Sequence, residues 1–305
     1  MGAVALMVFF PGCKIVSTSV GAERGACYPN GTCNAGLVCM SNLCVKNAVP
    51  AVENVVSGVK NVVSRGMALI PAGSFWMGCN SAVDNDCDSD EDESPYHEVT
   101  LSGYYIDKTE VTVDDYADCV TAGACTVPST YSSYCNWGVS GKTDHPVNCV
   151  NWTQAGEYCT WAGKRLPTEA EWEKAARGTD GRKYPYGNET VTCDYAVMHE
   201  GSDGCGKGGT IDVCSKSPAG DSPYGLCDMA GNVWEWVSDW YDSGYYTNSP
   251  ASNPTGPVSG STRVIRGGCW DNFDDFYSLR ASNRDTAGPM IVGDGLGFRC
   301  AKDAP

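Results

Sequence analysis

Hydrophobic positions along this chain fall into short runs separated by glycine, proline and polar residues, and helical periodicity is scarce. Three helices are nevertheless expected, at residues 112–123, 151–163 and 168–178. Thr168 is followed three residues later by Glu171, a capping box that is typical of a helix start. The apolar run 69–77 predicts a strand. The pattern therefore predicts a chain with few regular elements, in which irregular aromatic segments supply much of the core.

Residues 226–240 concentrate tryptophans and acids around a turn. Trp234, Trp236 and Trp240 are too large and apolar to remain in water together, so we expect them to anchor a core. The turn is predicted at residues 230–232, because glycine and asparagine both tolerate positive φ.

Asp228 and Glu235 flank this turn. Two carboxylates with backbone carbonyls between them match the oxygen ligands that calcium prefers. The alternative is that both acids only accept hydrogen bonds from the backbone of the turn. The spacing by itself favours this second interpretation.

Composition defines the compartment and excludes some partners. The 18 cysteines are spread along the chain, and only three histidines accompany them, which indicates disulfides rather than zinc sites and hence an oxidising compartment. The net charge of −16 disfavours nucleic acids and anionic membranes as partners. Residues 84–93 are acidic but lack the glycine and glutamate positions of a calcium loop, so we predict a solvated loop closed by a Cys79–Cys87 disulfide.

The chain divides into four predicted parts. Residues 1–26 resemble an export leader, with Cys13 as a site at which lipidation would attach the chain to a membrane. Residues 27–44 contain four cysteines and predict a small module held by two disulfides, of undetermined pairing. Residues 45–66 form a linker or short helix, and residues 67–303 form the main domain.

Several motifs of the main domain occur in a recognisable order: AGSFWMG at 72–78, DKTEVT at 107–112, GKRLPTEAEWE at 163–173, DMAGNVWEW at 228–236, RGG at 266–268 and GFRC at 297–300. Together they resemble the formylglycine-generating enzyme family, also called the sulfatase-modifying factor family. The resemblance implies an α+β, C-type-lectin-like fold that is loop-rich and stapled by disulfides.

The resemblance also implies metal and disulfide positions. A calcium site maps onto Asp228, Gly231, Val233 and Glu235, which reverses the preference given by spacing. A second maps onto Ala196, Val197, Asp203 and Cys205, where the family usually has an asparagine in place of the alanine. A disulfide maps onto Cys159 and Cys300, whereas a second family disulfide has alanines, Ala176 and Ala281, near its positions.

The family oxidises a substrate cysteine with two active-site thiols that bind copper(I). Their positions fall near Asn272 and near Phe276 or Tyr277 here, and Cys269 lies too early and alone. Copper is therefore not expected, and no catalytic residue is assigned. We expect Cys269 to be in a disulfide, and His97, His145 and His199 to have structural roles.

The segment that replaces the thiols mixes aromatic and small polar residues, a composition suited to recognition. The predicted ligand groove consists of Trp270, Asp271, Asn272, Phe273, Asp274, Tyr277, Arg280 and Arg284. We expect an exported, monomeric, non-catalytic protein that binds a protein, peptide or small molecule there, in the cell envelope of a bacterium or secreted from it. The alternatives are an oxidoreductase with altered chemistry, as in pyoverdine maturation, and a structural surface protein without a concave site beside Trp270.

Overall fold

The computed structural model describes residues 66–87, 91–272 and 276–305, together with three short strands that precede them. The predicted leader with Cys13, most of the module 27–44 and linker 45–66, and the predicted groove residues Phe273 and Asp274 lie outside the described residues. Within the described part of the chain, no helix combines the length and apolar character needed to cross a bilayer.

The strands of the described residues are short and form five small sheets. They are β1 Ile15–Val16, β2 Leu37–Met40, β3 Leu43–Lys46, β4 Met67–Ile70, β5 Gly73–Met77, β6 His97–Leu101, β7 Tyr104–Asp107, β8 Trp234–Trp240, β9 Arg263–Arg266, β10 Asp285–Ala287, β11 Val292–Gly293, β12 Leu296–Gly297 and β13 Ala301–Asp303. The largest sheet has the order β10-β9-β8-β12, and a second has the order β13-β7-β4. Strand β12 joins β8 in parallel, and the other pairs, including β1-β11, β2-β3 and β5-β6, are antiparallel.

The helices are α1 Val113–Thr121, α2 Trp152–Trp161, α3 Glu169–Arg177, α4 Asp203–Gly206 and α5 Tyr245–Asn248, with 3-10 turns at Glu91–Glu93 and Phe276–Leu279. The first three are the predicted helices. Each begins with a reciprocal capping box, formed by Thr112 with Asp115, Asn151 with Gln154 and Thr168 with Glu171. The loop-rich α+β fold expected from the sequence is thus confirmed.

The single strand predicted at 69–77 is instead two strands. Strand β4 pairs with β7, whereas β5 pairs with β6 in a different sheet. Pro71 has no backbone N–H to donate to a ladder, and Gly73 has a φ of 136°, so the chain turns between them. Hydrophobicity is continuous across this turn, which is why the pattern predicted one strand.

Strand β8 carries the predicted tryptophan anchor. Trp236 is fully buried and Trp234 nearly so, both in the apolar cluster that also contains Tyr158. Trp240 is only half-buried, and the guanidinium of Arg263 lies 3.4 Å from its ring centroid as a cation–π contact. Two of the three tryptophans therefore anchor the core, and the third forms its rim.

Buried arginines bind the C-terminal third of the chain to the rest. Arg280 donates to both carboxylate oxygens of Glu93, at 2.6 and 2.7 Å, and Arg284 donates to both oxygens of Glu169, at 2.7 and 3.0 Å. All four side chains are buried. Removing one partner of such a pair leaves an uncompensated buried charge, which costs about 3–5 kcal/mol.

Disulfides connect loops that are distant in sequence. Those between described residues are Cys79–Cys87, Cys119–Cys125, Cys135–Cys149, Cys159–Cys300, Cys193–Cys205 and Cys214–Cys227. The expected pairs Cys79–Cys87 and Cys159–Cys300 are confirmed, and the second of them clasps α2 to the C-terminal segment. Ala176 and Ala281, near the positions of the other family disulfide, are both buried in one apolar cluster.

Candidate functional site

The turn at 230–232 is the point at which three segments of the chain meet. A Cβ built on Gly231 would lie 2.3 Å from the carbonyl oxygen of Val197, so no other residue fits there without movement. The N–H of Asn232 donates to that same oxygen at 2.8 Å, and the carbonyl of Asn232 accepts from the N–H of Trp270 at 3.0 Å. The turn therefore positions the segment around Val197 beside the segment around Trp270.

Glu235, one of the predicted calcium ligands, is engaged by protein donors. Its carboxylate accepts three short contacts from the Arg299 guanidinium, at 2.7 to 2.9 Å. The indole N–H of Trp172 donates to Oε2 at 2.9 Å. These contacts come from three donor groups, Nε–H and Nη2–H of Arg299 and the indole N–H of Trp172, and they occupy most of the lone-pair directions of the carboxylate.

Asp228 lies in a different environment. Its φ is 56°, its side chain is buried, and Oδ2 accepts from the N–H of Cys214 at 2.6 Å. Nearby Glu110 is fully buried. Its carboxyl makes no hydrogen bond of good distance and angle to the described residues, and it lies against the carboxyl of Asp228 and its own backbone N–H.

The charges of this interior cluster do not balance. Burial, followed by the charge of Asp228, raises the pKa of Glu110 well above its ordinary value, and burial also raises the pKa of Asp228. Three carboxyls, those of Glu110, Asp228 and Glu235, surround the single guanidinium of Arg299. The excess of negative charge fits either a bound cation or retained protons.

The second predicted calcium set does not fit that ion. Ala196 has no side-chain oxygen, Val197 and Cys205 offer only backbone carbonyls, and the Val197 carbonyl already accepts from Asn232. The carboxylate of Asp203 instead contacts the imidazole of His199. Calcium needs six to eight oxygen ligands, and this set offers one carboxylate.

The positions implied for the family thiols contain no thiol. Asn272 is buried, and its side-chain oxygen accepts from the N–H of Cys269. Cys269 itself is disulfide-bonded, as expected. Phe276 and Tyr277 are exposed, at the start of the 3-10 turn.

The predicted groove residues do not share one surface. Trp270, Asn272, Arg280 and Arg284 are buried, so they do not line an open groove, and both arginines are held in the ion pairs described above. Asp271 is half-buried, and Tyr277 is 42% exposed. Two cavities, of about 730 and 380 Å³, lie away from residues 267–284, the larger between α2, α3 and the C-terminus.

Trp270 instead forms the floor of an aromatic surface. The ring of Tyr134, 39% exposed, lies over it with centroids 5.0 Å apart. The indole N–H of Trp270 donates to the carbonyl of Asp294 at 3.1 Å, and the N–H of Asp294 donates to the hydroxyl of Tyr131 at 3.2 Å. Tyr131, Tyr134 and Asp271 are therefore presented together, and we call them the Trp270 surface.

A histidine and two aspartates meet beside this surface. Nδ1 of His199 lies 2.7 Å from Oδ1 of Asp203, and the ligand atoms of His199, Asp203 and Asp271 all lie within 4.8 Å of one another. Burial, with the neighbouring charge of Asp203, raises the pKa of Asp271 to about 6. Sequence reasoning missed this cluster because Asp271 is distant in sequence; the spacing of four between His199 and Asp203 was its one local signal.

The other two histidines make structural contacts. Nδ1 of His97 lies 2.8 Å from the carbonyl of Pro95, and Nδ1 of His145 lies 2.9 Å from the hydroxyl of Thr210. Neither belongs to a cluster of three metal-ligating groups among the described residues.

A loop-rich α+β domain organised around the turn at 228–236 defines a protein of the formylglycine-generating-enzyme type. The family model described as "Sulfatase-modifying factor enzyme 1-like domain" matches residues 53–304. The chain belongs to this family.

Three known proteins show how similar this chain is to its relatives. The formylglycine-generating enzyme of Streptomyces coelicolor is 35% identical over 291 residues, which cover 79% of this chain and 90% of that protein. The inactive C-alpha-formylglycine-generating enzyme 2 of Mus musculus is 37% identical over 175 residues, covering 55% of this chain and 52% of that protein. Among solved structures, PvdO from Pseudomonas aeruginosa superposes with a TM-score of 0.66 and 28% identity, covering 78% of this chain and 94% of PvdO.

Proposed function

We propose that this chain is a non-catalytic member of its family, which binds a peptide segment of a partner protein through the Trp270 surface. The observation that carries this proposal is the state of the cysteines. Copper(I) chemistry of the family type needs two free thiolates on one surface. Every cysteine between residues 66 and 305 is in a disulfide, and the two implied thiol positions carry Asn272 and an aromatic residue.

The exposed side chains support binding. Tyr131 and Tyr134 are each more than a third exposed, and Tyr134 rests on the buried Trp270, so they present large, rigid contact area at a small entropic cost. Asp271 places a carboxyl beside them, which favours a ligand with basic side chains. The existence of a mouse relative named as inactive is consistent with a family scaffold that is used without its catalysis.

A display experiment tests this proposal. A random peptide library is panned on the wild-type protein, and selected peptides are measured against Tyr134→Ala and against Trp76→Ala, a change to an equally exposed aromatic on β5. Loss of one aromatic anchor removes about 1–2 kcal/mol, so we expect binding to weaken about tenfold in Tyr134→Ala and to be unchanged in Trp76→Ala. Equal binding to all three proteins would place the recognition surface elsewhere.

We further infer that the chain matures in an oxidising compartment and is exported. Disulfides between distant segments such as Cys159 and Cys300 form and persist in the periplasm or outside the cell. The high acidic charge supports solubility there.

A structural calcium ion is proposed at the turn, held by the carboxyl of Asp228 and the carbonyls of Gly231 and Val233. The buried carboxyl of Glu110 supports this assignment, since Glu110 and Asp228 place two further carboxyls beside the Arg299 guanidinium that Glu235 already pairs. Glu235 contributes by fixing Arg299 rather than as a direct ligand. A bound calcium ion supplies rigidity to the turn, not chemistry.

An oxidoreductase with altered chemistry is the second candidate function, and the cluster of His199, Asp203 and Asp271 favours it. Its test is oxygen uptake by protein loaded with iron(II), compared with the metal-free protein.

A further inference from the structure

His199, Asp203 and Asp271 form a cluster whose chemistry the proposed peptide binding does not use. One imidazole and two carboxylates approach one another at the edge of the Trp270 surface, with ligand atoms within 4.8 Å. All three side chains are half-buried. They are therefore shielded on one side and reachable from solvent on the other.

The backbone holds this cluster in place. The N–H of Gly204 donates to the carbonyl of Trp270 at 2.9 Å, which joins the residue after Asp203 to the residue before Asp271. The disulfide between Cys193 and Cys205 closes the loop that carries His199. Gly204 and Cys205 both have positive φ, so α4 is a single irregular turn that follows Asp203. The arrangement is thus fixed by contacts outside the cluster.

The donor atoms select a class of metal. Calcium prefers six to eight oxygen ligands, and the imidazole nitrogen in this set does not suit it. Nitrogen from imidazole together with carboxylate oxygen suits zinc, iron(II), manganese(II) and related ions. Two ligands that each lie about 2.1 Å from one ion are separated by about 3 to 3.5 Å, so the 2.7 Å hydrogen bond between His199 Nδ1 and Asp203 Oδ1 would open by a few tenths of an ångström to admit the ion.

We propose that His199, Asp203 and Asp271 bind one divalent transition-metal ion of the zinc class at the edge of the Trp270 surface. Three protein ligands on one side leave at least one coordination position open towards solvent. A carboxylate or carbonyl of a bound ligand can occupy that position. The metal site goes beyond the proposed peptide binding, which does not require it.

The cluster also has an explanation without a metal. Protonated His199 would pair with Asp203, and Asp271 would hold a proton because the other carboxylate lies close to it. This arrangement of charges would need no metal ion and would respond only weakly to added zinc. The experiment must therefore separate metal binding from charge pairing.

Equilibrium dialysis of the full, disulfide-intact chain against Zn²⁺, Mn²⁺ and Ca²⁺, after removal of bound metals with a chelator, measures binding directly. We expect one Zn²⁺ per chain, whose affinity falls by at least about 100-fold in His199→Gln and in Asp271→Asn. Co²⁺ in place of Zn²⁺ should show visible absorption bands in the wild-type protein, and these bands should be lost in both variants.

His145→Gln is the matched control, because His145 is the other histidine beside a carboxylate, with Nε2 3.4 Å from Asp212. It should retain the zinc affinity of the wild type. Thermal unfolding and thiol titration establish that each variant is folded with its disulfides intact. If His199→Gln does not fold, the zinc affinity of Asp271→Asn, a change at a half-buried residue, decides whether the cluster binds the metal. Absence of Zn²⁺ binding by the wild type, unchanged affinity in both variants, or displacement of Zn²⁺ by equimolar Ca²⁺ would overturn the proposal. Peptide binding by the Trp270 surface is measured separately and can persist in any of these cases.

Discussion

Glu235 and Arg299 form a bidentate ion pair in the interior, with Oε1 and Nη2 2.7 Å apart and Oε2 and Nε 2.7 Å apart. The pair joins strand β8 to the segment just before β13. It gives a structural role to an acid that the family resemblance places among calcium ligands.

Replacing Glu235 by Gln should destabilise the protein by about 3–5 kcal/mol, because the guanidinium of Arg299 remains buried without a countercharge. Urea unfolding with intact disulfides measures this change, and Glu98→Gln on the exposed side of β6 should alter stability by less than about 0.5 kcal/mol. A loss that appears only when calcium is present, and vanishes in chelator, would instead identify Glu235 as a direct ligand.

Calcium should raise the melting temperature of the wild-type protein and not that of Asp228→Asn. A ligand present at 100 times its dissociation constant stabilises a folded protein by about 2.7 kcal/mol. Differential scanning calorimetry with and without calcium measures the shift. Asp203→Asn is the comparison, and it should keep the full response. The assignment to Asp228 fails if the responses of the two variants are reversed.

The two types of disulfide should differ in their effect on stability. Closing the 141-residue separation between Cys159 and Cys300 restricts the unfolded chain by about 5 kcal/mol in the chain-entropy model, compared with about 2 kcal/mol for the 6-residue separation of Cys119 and Cys125. Paired Cys→Ala replacements at each bridge, followed by thermal unfolding, test this order. An equal loss at both bridges would contradict the entropic account.

Asp239 should make stability depend on pH. It is buried at the start of α3, where it accepts from the N–H of Glu169 at 3.0 Å, and burial, with the charge of Glu169, raises its pKa from 3.8 to about 7. The folded protein therefore binds the proton more tightly than the unfolded chain. Its contribution to stability is complete below pH 4 and is lost as the pH rises to about 7, on the order of 4 kcal/mol.

Urea unfolding of the wild type and of Asp239→Asn between pH 4 and pH 8 measures this contribution. The wild type should lose stability relative to the variant across that interval, and no further above it. A constant difference between the two proteins at all pH values would show that Asp239 does not titrate in this range.

The sequence allowed the fold to be predicted where local signals were strong. The capping boxes at Thr112, Asn151 and Thr168 lie at the positions expected from their side chains, because capping is a contact between near neighbours. The division of residues 69–77 into two strands was not predicted, since apolar side chains continue through Pro71 and Gly73. Burial of Arg280 and Arg284 was not predicted either, because their carboxylate partners are far away in the chain.

The candidate site was predicted only in part, because its residues come from distant parts of the sequence. The disulfide of Cys159 with Cys300 followed from the family resemblance, and the absence of a thiol pair followed from the sequence itself. His199 and Asp271 approach each other only because the turn at Gly231 holds two distant segments together. No pattern of hydrophobicity or spacing contains that information.

The central proposal is that this chain, whose cysteines between residues 66 and 305 are all in disulfides, does not perform the oxidation that its family resemblance implies. Oxygen uptake with a cysteine-containing sulfatase peptide, in the presence of stoichiometric copper(I), tests the claim most directly, with the Streptomyces coelicolor enzyme as the positive control. We predict no uptake above buffer and no conversion of the peptide cysteine by this protein. Peptide-dependent oxygen consumption with one copper per chain would contradict the account.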